Sequence, residues 1–202
     1  MRWYTAAVAA HPDNMPARIN LGLALQLSGD WDGALACFRE IIRLDSTVAL
    51  AHNNVGWILR TKKGDTDGAI AAYEAAIRAD PKLSLAHGNL GAVFMNKGDL
   101  AKAAAVLGEA VRLDPNDATS YENLGETLLR QEKATEAALA LKSCLAIRQK
   151  TTPDDWRTFK TMLRLSLVLL EQKKHADAEP LLANGYEGIK QREMTLPPVE
   201  KQ

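Results

Sequence analysis

Four glycines, Gly22, Gly56, Gly91 and Gly125, stand 34, 35 and 34 residues apart, each inside the same local grammar: "INLGLAL", "NNVGWIL", "GNLGAVF" and "ENLGETL". A second series, Ala34, Ala69, Ala103 and Ala137, keeps spacings of 35, 34 and 34. A third marks the unit ends, "RLDS" at 43–46, "RADP" at 78–81 and "RLDP" at 112–115. A period of this length in four units confines the chain to a repeat architecture, because one unit cannot bury its apolar face and must stack on its neighbours. The extra residue of the second unit falls between Gly56 and Gly64, in "WILRTKKG", near the end of its first half, where a loop is expected to absorb it.

Each unit reads as two helices. Arg18, Leu21, Gly22 and Leu25 fall at i, i+3, i+4 and i+7, one face of a 3.6-residue period. "SGD" at 28–30 then breaks the pattern: Gly29 suits the left-handed end of one helix and Asp30 the N-cap of the next. "KGD" at 63–65 and 97–99 repeats the device. The second helix carries Ala34, Phe38, Ile41 and Ile42 on its apolar side, matched later by Ala103, Leu107, Ala110 and Val111. Small residues at such contacts let backbones approach, and large ones fill the space left.

The 34-residue period, Leu-Gly in the first helix, Ala followed by an aromatic or Leu in the second and Asp-Pro at the end together resemble the tetratricopeptide repeat, TPR. His52, His87 and Tyr121 stand where the family often places an aromatic, and Arg18 departs from the pattern. The resemblance implies an all-α fold, a right-handed α-solenoid of helix-turn-helix units whose first helices line a concave inner surface. Four units are expected at 15–48, 49–83, 84–117 and 118–149. Residues 1–14 read as the second helix of an earlier repeat, 150–158 as an insertion, 159–193 as a divergent fifth repeat and 194–202 as a flexible tail. In that fifth repeat Ala178 and Leu182 take the positions of Ala137 and Leu141. "PDDWRTF", "ADAEPLL" and "GYEGIKQRE" also resemble the TPR region of large bacterial serine/threonine protein kinases, which implies a regulatory arm or a fragment of one. The chain shows no glycine-rich phosphate loop, His-Arg-Asp loop or Asp-Phe-Gly, the parts phosphoryl transfer needs.

Composition narrows function further. A formal net charge of zero argues against non-specific nucleic-acid binding, which needs a surplus of cations to displace counterions. No run approaches the roughly 20 apolar residues that span a bilayer, and the start does not resemble a cleaved leader, so a cytoplasmic setting is the default expectation. Cys37 and Cys144 lie within apolar helical patterns and read as small buried hydrophobes. His52 and His87 share one repeat position, as half of a metal site or as rings packed between helices; no ligand-spaced carboxylate or thiol accompanies them, which favours packing. Asp154 and Asp155 read as helix capping, and no motif for catalysis, metal or cofactor binding is found.

The candidate site is the polar strip on the first helices. Asn20, Asn54, Asn89 and Asn123 keep the spacing 34, 35 and 34, away from the core stripe. Each side chain offers an acceptor and two donors, enough to bond both the C=O and N–H of an extended backbone without reading its side chains. First helices recur at roughly 10 Å and an extended chain rises about 3.4 Å per residue, so one asparagine per unit meets about every third residue of a bound strand. The pattern resembles the asparagine ladder of the TPR arm of O-linked N-acetylglucosamine transferase; the alternative is an asparagine that bonds a neighbouring helix. Leu23, Trp57 and Met95 add apolar contacts, and Glu126 and Arg130 make the C-terminal end polar. Trp57 is an anchor for a partner or packs on its own neighbours. Ile19, Asn53, Gly88 and Glu122 stand where chaperone-binding TPR modules clamp a carboxylate, so no such clamp is expected. The reading is a non-catalytic bacterial scaffold that binds an extended peptide or partner protein, with neither nucleic acid nor membrane as partner. End-to-end self-association through the exposed Trp3–Tyr4 helix is a further possibility.

Overall fold

The computed structural model describes residues 2–11 and 14–195. It is built of helices α1 (Arg2–Ala10), α2 (Met15–Leu27), α3 (Trp31–Leu44), α4 (Ala49–Ile58), α5 (Thr66–Ala79), α6 (Ser84–Lys97), α7 (Leu100–Leu113), α8 (Ala118–Arg130), α9 (Ala134–Thr151), α10 (Trp156–Glu171) and α11 (His175–Thr195). No strand occurs among the described residues. No helix there is long and apolar enough to cross a membrane. The chain divides into two compact units, Met1–Val93 and Phe94–Gln202. In the first, each of α1 to α5 packs on the helix that follows it within α1–α5; in the second the same holds from α7 to α11.

One contact recurs in both units and explains the period. Ala34, Ala69, Ala103, Ala137 and Ala178 are all fully buried, and so are the large side chains Phe38, Tyr73, Leu107 and Leu141 four residues after the first four alanines. The glycine of the first helix takes that large side chain directly on its backbone. A Cβ on Gly22 would come within 2.8 Å of the Phe38 ring, one on Gly56 within 2.8 Å of Tyr73, and one on Gly125 within 2.9 Å of Leu141. No residue with a side chain fits there without moving the helices apart.

The turns follow the sequence device where the device is present. Gly29, Gly64 and Gly98 have φ of 81°, 68° and 82°, and Asp30, Asp65 and Asp99 accept hydrogen bonds from the backbone N–H of Gly33, Gly68 and Lys102 at 2.9, 2.8 and 3.3 Å. The Asp of each unit end closes a turn instead: Asp45, Asp80 and Asp114 accept from the N–H of Thr47, Lys82 and Asn116 at 2.9, 2.9 and 3.0 Å. The Thr47 hydrogen bonds hold the Asp45 carboxyl below the usual range.

Three departures from the sequence reading are instructive. The extra residue of the second unit does not sit in a loop. It is absorbed as a π-helical turn, Leu59–Lys63, that continues α4 and ends at left-handed Gly64. The stretch 150–158 is helical at both ends, because α9 runs on to Thr151 and Asp155 caps α10 through the N–H of Arg157 at 2.8 Å. In the last hairpin Ala178 is buried as expected but Leu182 is 41% exposed, and Leu181 packs on the core instead. The glycines there have changed sides: Gly185 and Gly188 of α11 lie against Leu163 and Phe159 of α10. Of the expected tail 194–202, Met194 and Thr195 still belong to α11 and 196–202 lies outside the described residues, as do Met1, Pro12 and Asp13.

Two changes test these accounts. At the fourth turn Glu132 is left-handed (φ 61°) without being glycine, and Lys133 caps α9 with no side-chain hydrogen bond. Restoring the device with Glu132→Gly and Lys133→Asp should raise stability by about 2 kcal/mol in denaturant unfolding, relief of the left-handed strain and the new cap contributing about equally. The Tyr73 hydroxyl is buried with no hydrogen-bond partner among the described residues, and burial pushes its pKa up to about 12. Tyr73→Phe should therefore stabilise the chain by about 1 kcal/mol, and a lower melting temperature would refute the assignment.

Candidate binding surface on the first helices

In the first unit the strip is carried by α2, α4 and α6. Asn20 is exposed, and Asn54 and Asn89 are half-buried. Their environments differ. The Asn89 amide Nδ2 donates to Asn53 Oδ1 at 3.0 Å, and Asn53 is only 2% exposed. Asn89 thus satisfies a buried acceptor on the preceding first helix, which is the structural alternative that the asparagine pattern left open. Among the described residues the side chains of Asn20 and Asn54 make no hydrogen bond within the protein, which leaves both ends of each amide available.

Leu23 is 40% exposed, one turn before the more exposed Leu27. Trp57 is half-buried and lies against Trp31 at the start of α3, with ring centroids 5.9 Å apart and planes tilted by 48°. The ammonium of Lys62 sits 4.1 Å from the Trp31 centroid and 5.9 Å from that of Trp57. The histidines are accounted for: His52 Nε2 lies 3.0 Å from the carbonyl of Ser46 and His87 Nε2 3.0 Å from that of Pro81. Each ring ties a first helix to the turn before it.

In the second unit Asn123 lies on α8, half-buried and with no side-chain hydrogen bond among the described residues. Beyond it the surface is charged. Arg130 reaches Glu126 at 3.1 Å and the Met95 carbonyl at 3.3 Å, and Arg164 of α10 meets Glu126 at 2.9 Å. One turn earlier Glu122 receives the buried Arg148 at 2.6 Å and Lys160 at 3.8 Å. Arg148 also donates to Thr161 Oγ1 at 2.6 Å and to the Arg157 carbonyl at 3.1 Å. Lys160 and Arg164 did not figure in the sequence reading. Their signal was the spacing: both follow Glu122 and Glu126 by the same interval, so two i,i+4 pairs of opposite charge face each other across adjacent helices. Glu122 is thus committed to Arg148. Cys144 is buried and Cys37 half-buried, its thiol donating to the Arg18 carbonyl at 3.2 Å; burial raises the pKa of both, which makes them poor nucleophiles.

Family models described as tetratricopeptide repeat match residues 3–49 and 19–84, 61–126, and 118–155. Among solved structures, MamA residues 41 to the end from Desulfovibrio magneticus RS-1 is 20% identical, covers 89% of this chain and 97% of that one, and superposes with a TM-score of 0.72. YrrB, described as a TPR protein with an unusual peptide-binding site, is 20% identical over 92% of this chain and 91% of that one, with a TM-score of 0.71. PilW, a widely conserved type IV pilus biogenesis factor, is 20% identical over 98% and 84%, with a TM-score of 0.72. At such identities the likeness is one of fold. No curated protein matches in sequence. The resemblance of the C-terminal segment to kinase-linked arrays is not carried by these matches. Repeat models that together run from residue 3 to 155, and the hairpins in which a glycine receives a large side chain of the next helix, make this chain a tetratricopeptide-repeat protein.

Proposed function

We propose that the chain is a non-catalytic protein-interaction scaffold, and that in its first unit an extended peptide lies across α2, α4 and α6. The observation that carries the reading is the pair Asn20 and Asn54. Both lie at one repeat position, and neither amide is used within the described fold. An amide on a helix that bonds nothing internally is positioned to exchange solvent for a backbone N–H and C=O. Leu23 and Trp57 flank the pair and supply apolar area. Asn123, Met95, Glu126 and Arg130 form a separate contact surface in the second unit, where the charged pairs favour a polar partner. The cytoplasmic setting and the assembly of copies through Trp3 and Tyr4 belong to the same proposal; Trp3 is 88% exposed and Tyr4 39%. A strict monomer at high concentration in sedimentation would remove the latter.

The asparagines separate binding from stability. The doubly substituted Asn20→Ala, Asn54→Ala chain should keep its helix content and melting temperature. It should bind a peptide selected from a randomised unstructured library at least tenfold more weakly, about 1.4 kcal/mol. Asn89→Ala should instead cost about 1–3 kcal/mol of stability, because it strands the buried Asn53 carbonyl. Unchanged peptide affinity in the double variant would sink the ladder.

A further inference from the structure

The π-helical turn at Leu59–Lys63 does more than absorb a residue. In an α-helix the side chain five positions after Trp57 points about 140° away from it round the axis. The wider turn brings Lys62 back toward the azimuth of Trp57, so that its ammonium lies over Trp31 at 4.1 Å and within 5.9 Å of Trp57. The two indoles, tilted by 48° with centroids 5.9 Å apart, form an open aromatic notch whose present occupant is the chain's own cation. Asp32, one residue after Trp31, sets a carboxylate that is 81% exposed beside it, held to Lys63 at 2.5 Å. An aromatic pair is a receptor for a cationic side chain, since the ring faces present negative potential; the Asp32 carboxylate, paired with Lys63, keeps that second ammonium off the rings. Lys62 itself is exposed and is held there by ring contacts worth only about 0.5–1 kcal/mol. Trp57 lies one turn after Asn54 on α4, so a backbone held by Asn54 passes the mouth of the notch.

We infer that the Trp31–Trp57 notch is a specificity site for a lysine or arginine side chain of the bound peptide, and that Lys62 is an internal stand-in which the partner's cation displaces. The inference rests on the groove reading for its peptide but on the notch geometry for its chemistry. The stand-in keeps two indoles from presenting a bare apolar surface and weakens the site until a better-placed cation arrives. The preference is for charge on a flexible stem. An apolar chain of the same length gains no attraction from the ring quadrupoles, and an acidic one is repelled by the ring faces.

The probe is Nα-acetyl-lysine amide, titrated into the full-length chain while the indole N–H resonances of Trp31 and Trp57 are followed by NMR. Nα-acetyl-norleucine amide and Nα-acetyl-glutamate amide serve as controls. Both resonances should move with the lysine probe alone, and Lys62→Ala should tighten its apparent affinity about threefold by removing the competitor. Trp31→Leu, checked for unchanged helicity, should abolish the response at Trp57. Peptides selected from the randomised library should carry Lys or Arg at one fixed position, with the preference lost in Trp31→Leu. Indoles that stay still in Lys62→Ala, or that respond equally to norleucine, overturn the inference whether or not peptides bind. Indoles that respond to lysine while no peptide is selected leave the notch standing and remove the groove.

Discussion

The glycine of one helix lying flat against a large side chain of the next is the contact from which everything else here follows. Gly22 on Phe38, Gly56 on Tyr73 and Gly125 on Leu141 each bring two backbones close enough for an alanine four residues before the large side chain to vanish from solvent. That closeness consumes one face of the first helix and one of the second. The remaining face of the first helix is left to polar residues, and a surface repeating with the hairpin is the result. A chain that relaxed the glycine contact would lose the repeat spacing of its asparagines along with its core.

The period, the helix pairs and the turn chemistry were legible because they recur. A glycine seen once is ambiguous, but one seen at a fixed interval before a buried alanine is a packing constraint. What did not recur was not legible. The count of residues showed one too many between Gly56 and Gly64 but could not say whether a loop or the helix would take it; the backbone hydrogen bonds of α4 are kept by widening the turn, where a loop would have surrendered them. The Asn89–Asn53 bond joins residues at different repeat positions, so no comparison of equivalent sites reveals it. Arg148, in the last turn of α9, reads as an ordinary exposed cation, and only the three-dimensional course of α10 buries it.

The asparagine series shows how a repeated residue can hold different posts. Repetition places the side chains on one face, but the neighbour at the adjacent position decides their use. Asn54 is preceded by buried Asn53, whose oxygen faces the following first helix, and Asn89 is there to answer it. Gly88 precedes Asn89 and presents no such acceptor, while Glu122 precedes Asn123 and is taken by Arg148. Equal spacing is therefore evidence for equal position and for nothing more.

The last hairpin turns on a different device, and its sequence shows why. From Leu165 to Leu170 helix α10 carries five apolar residues interrupted only by Ser166, too many to specify one buried face by periodicity. Leu165, Val168 and Leu169 are buried whereas Leu167 is 57% exposed, so one rotation of the helix has been selected from several that bury comparable area. The selecting contacts lie one to three turns upstream, where Arg148 binds Thr161, the Arg157 carbonyl and Glu122 together. A buried ion pair adds little net stability, because desolvation offsets most of its attraction, but a misrotated α10 would strand the guanidinium among apolar groups at a cost of several kcal/mol. The charge cluster thus fixes the register that the leucines leave open, and in doing so it holds Lys160 and Arg164 opposite Glu122 and Glu126.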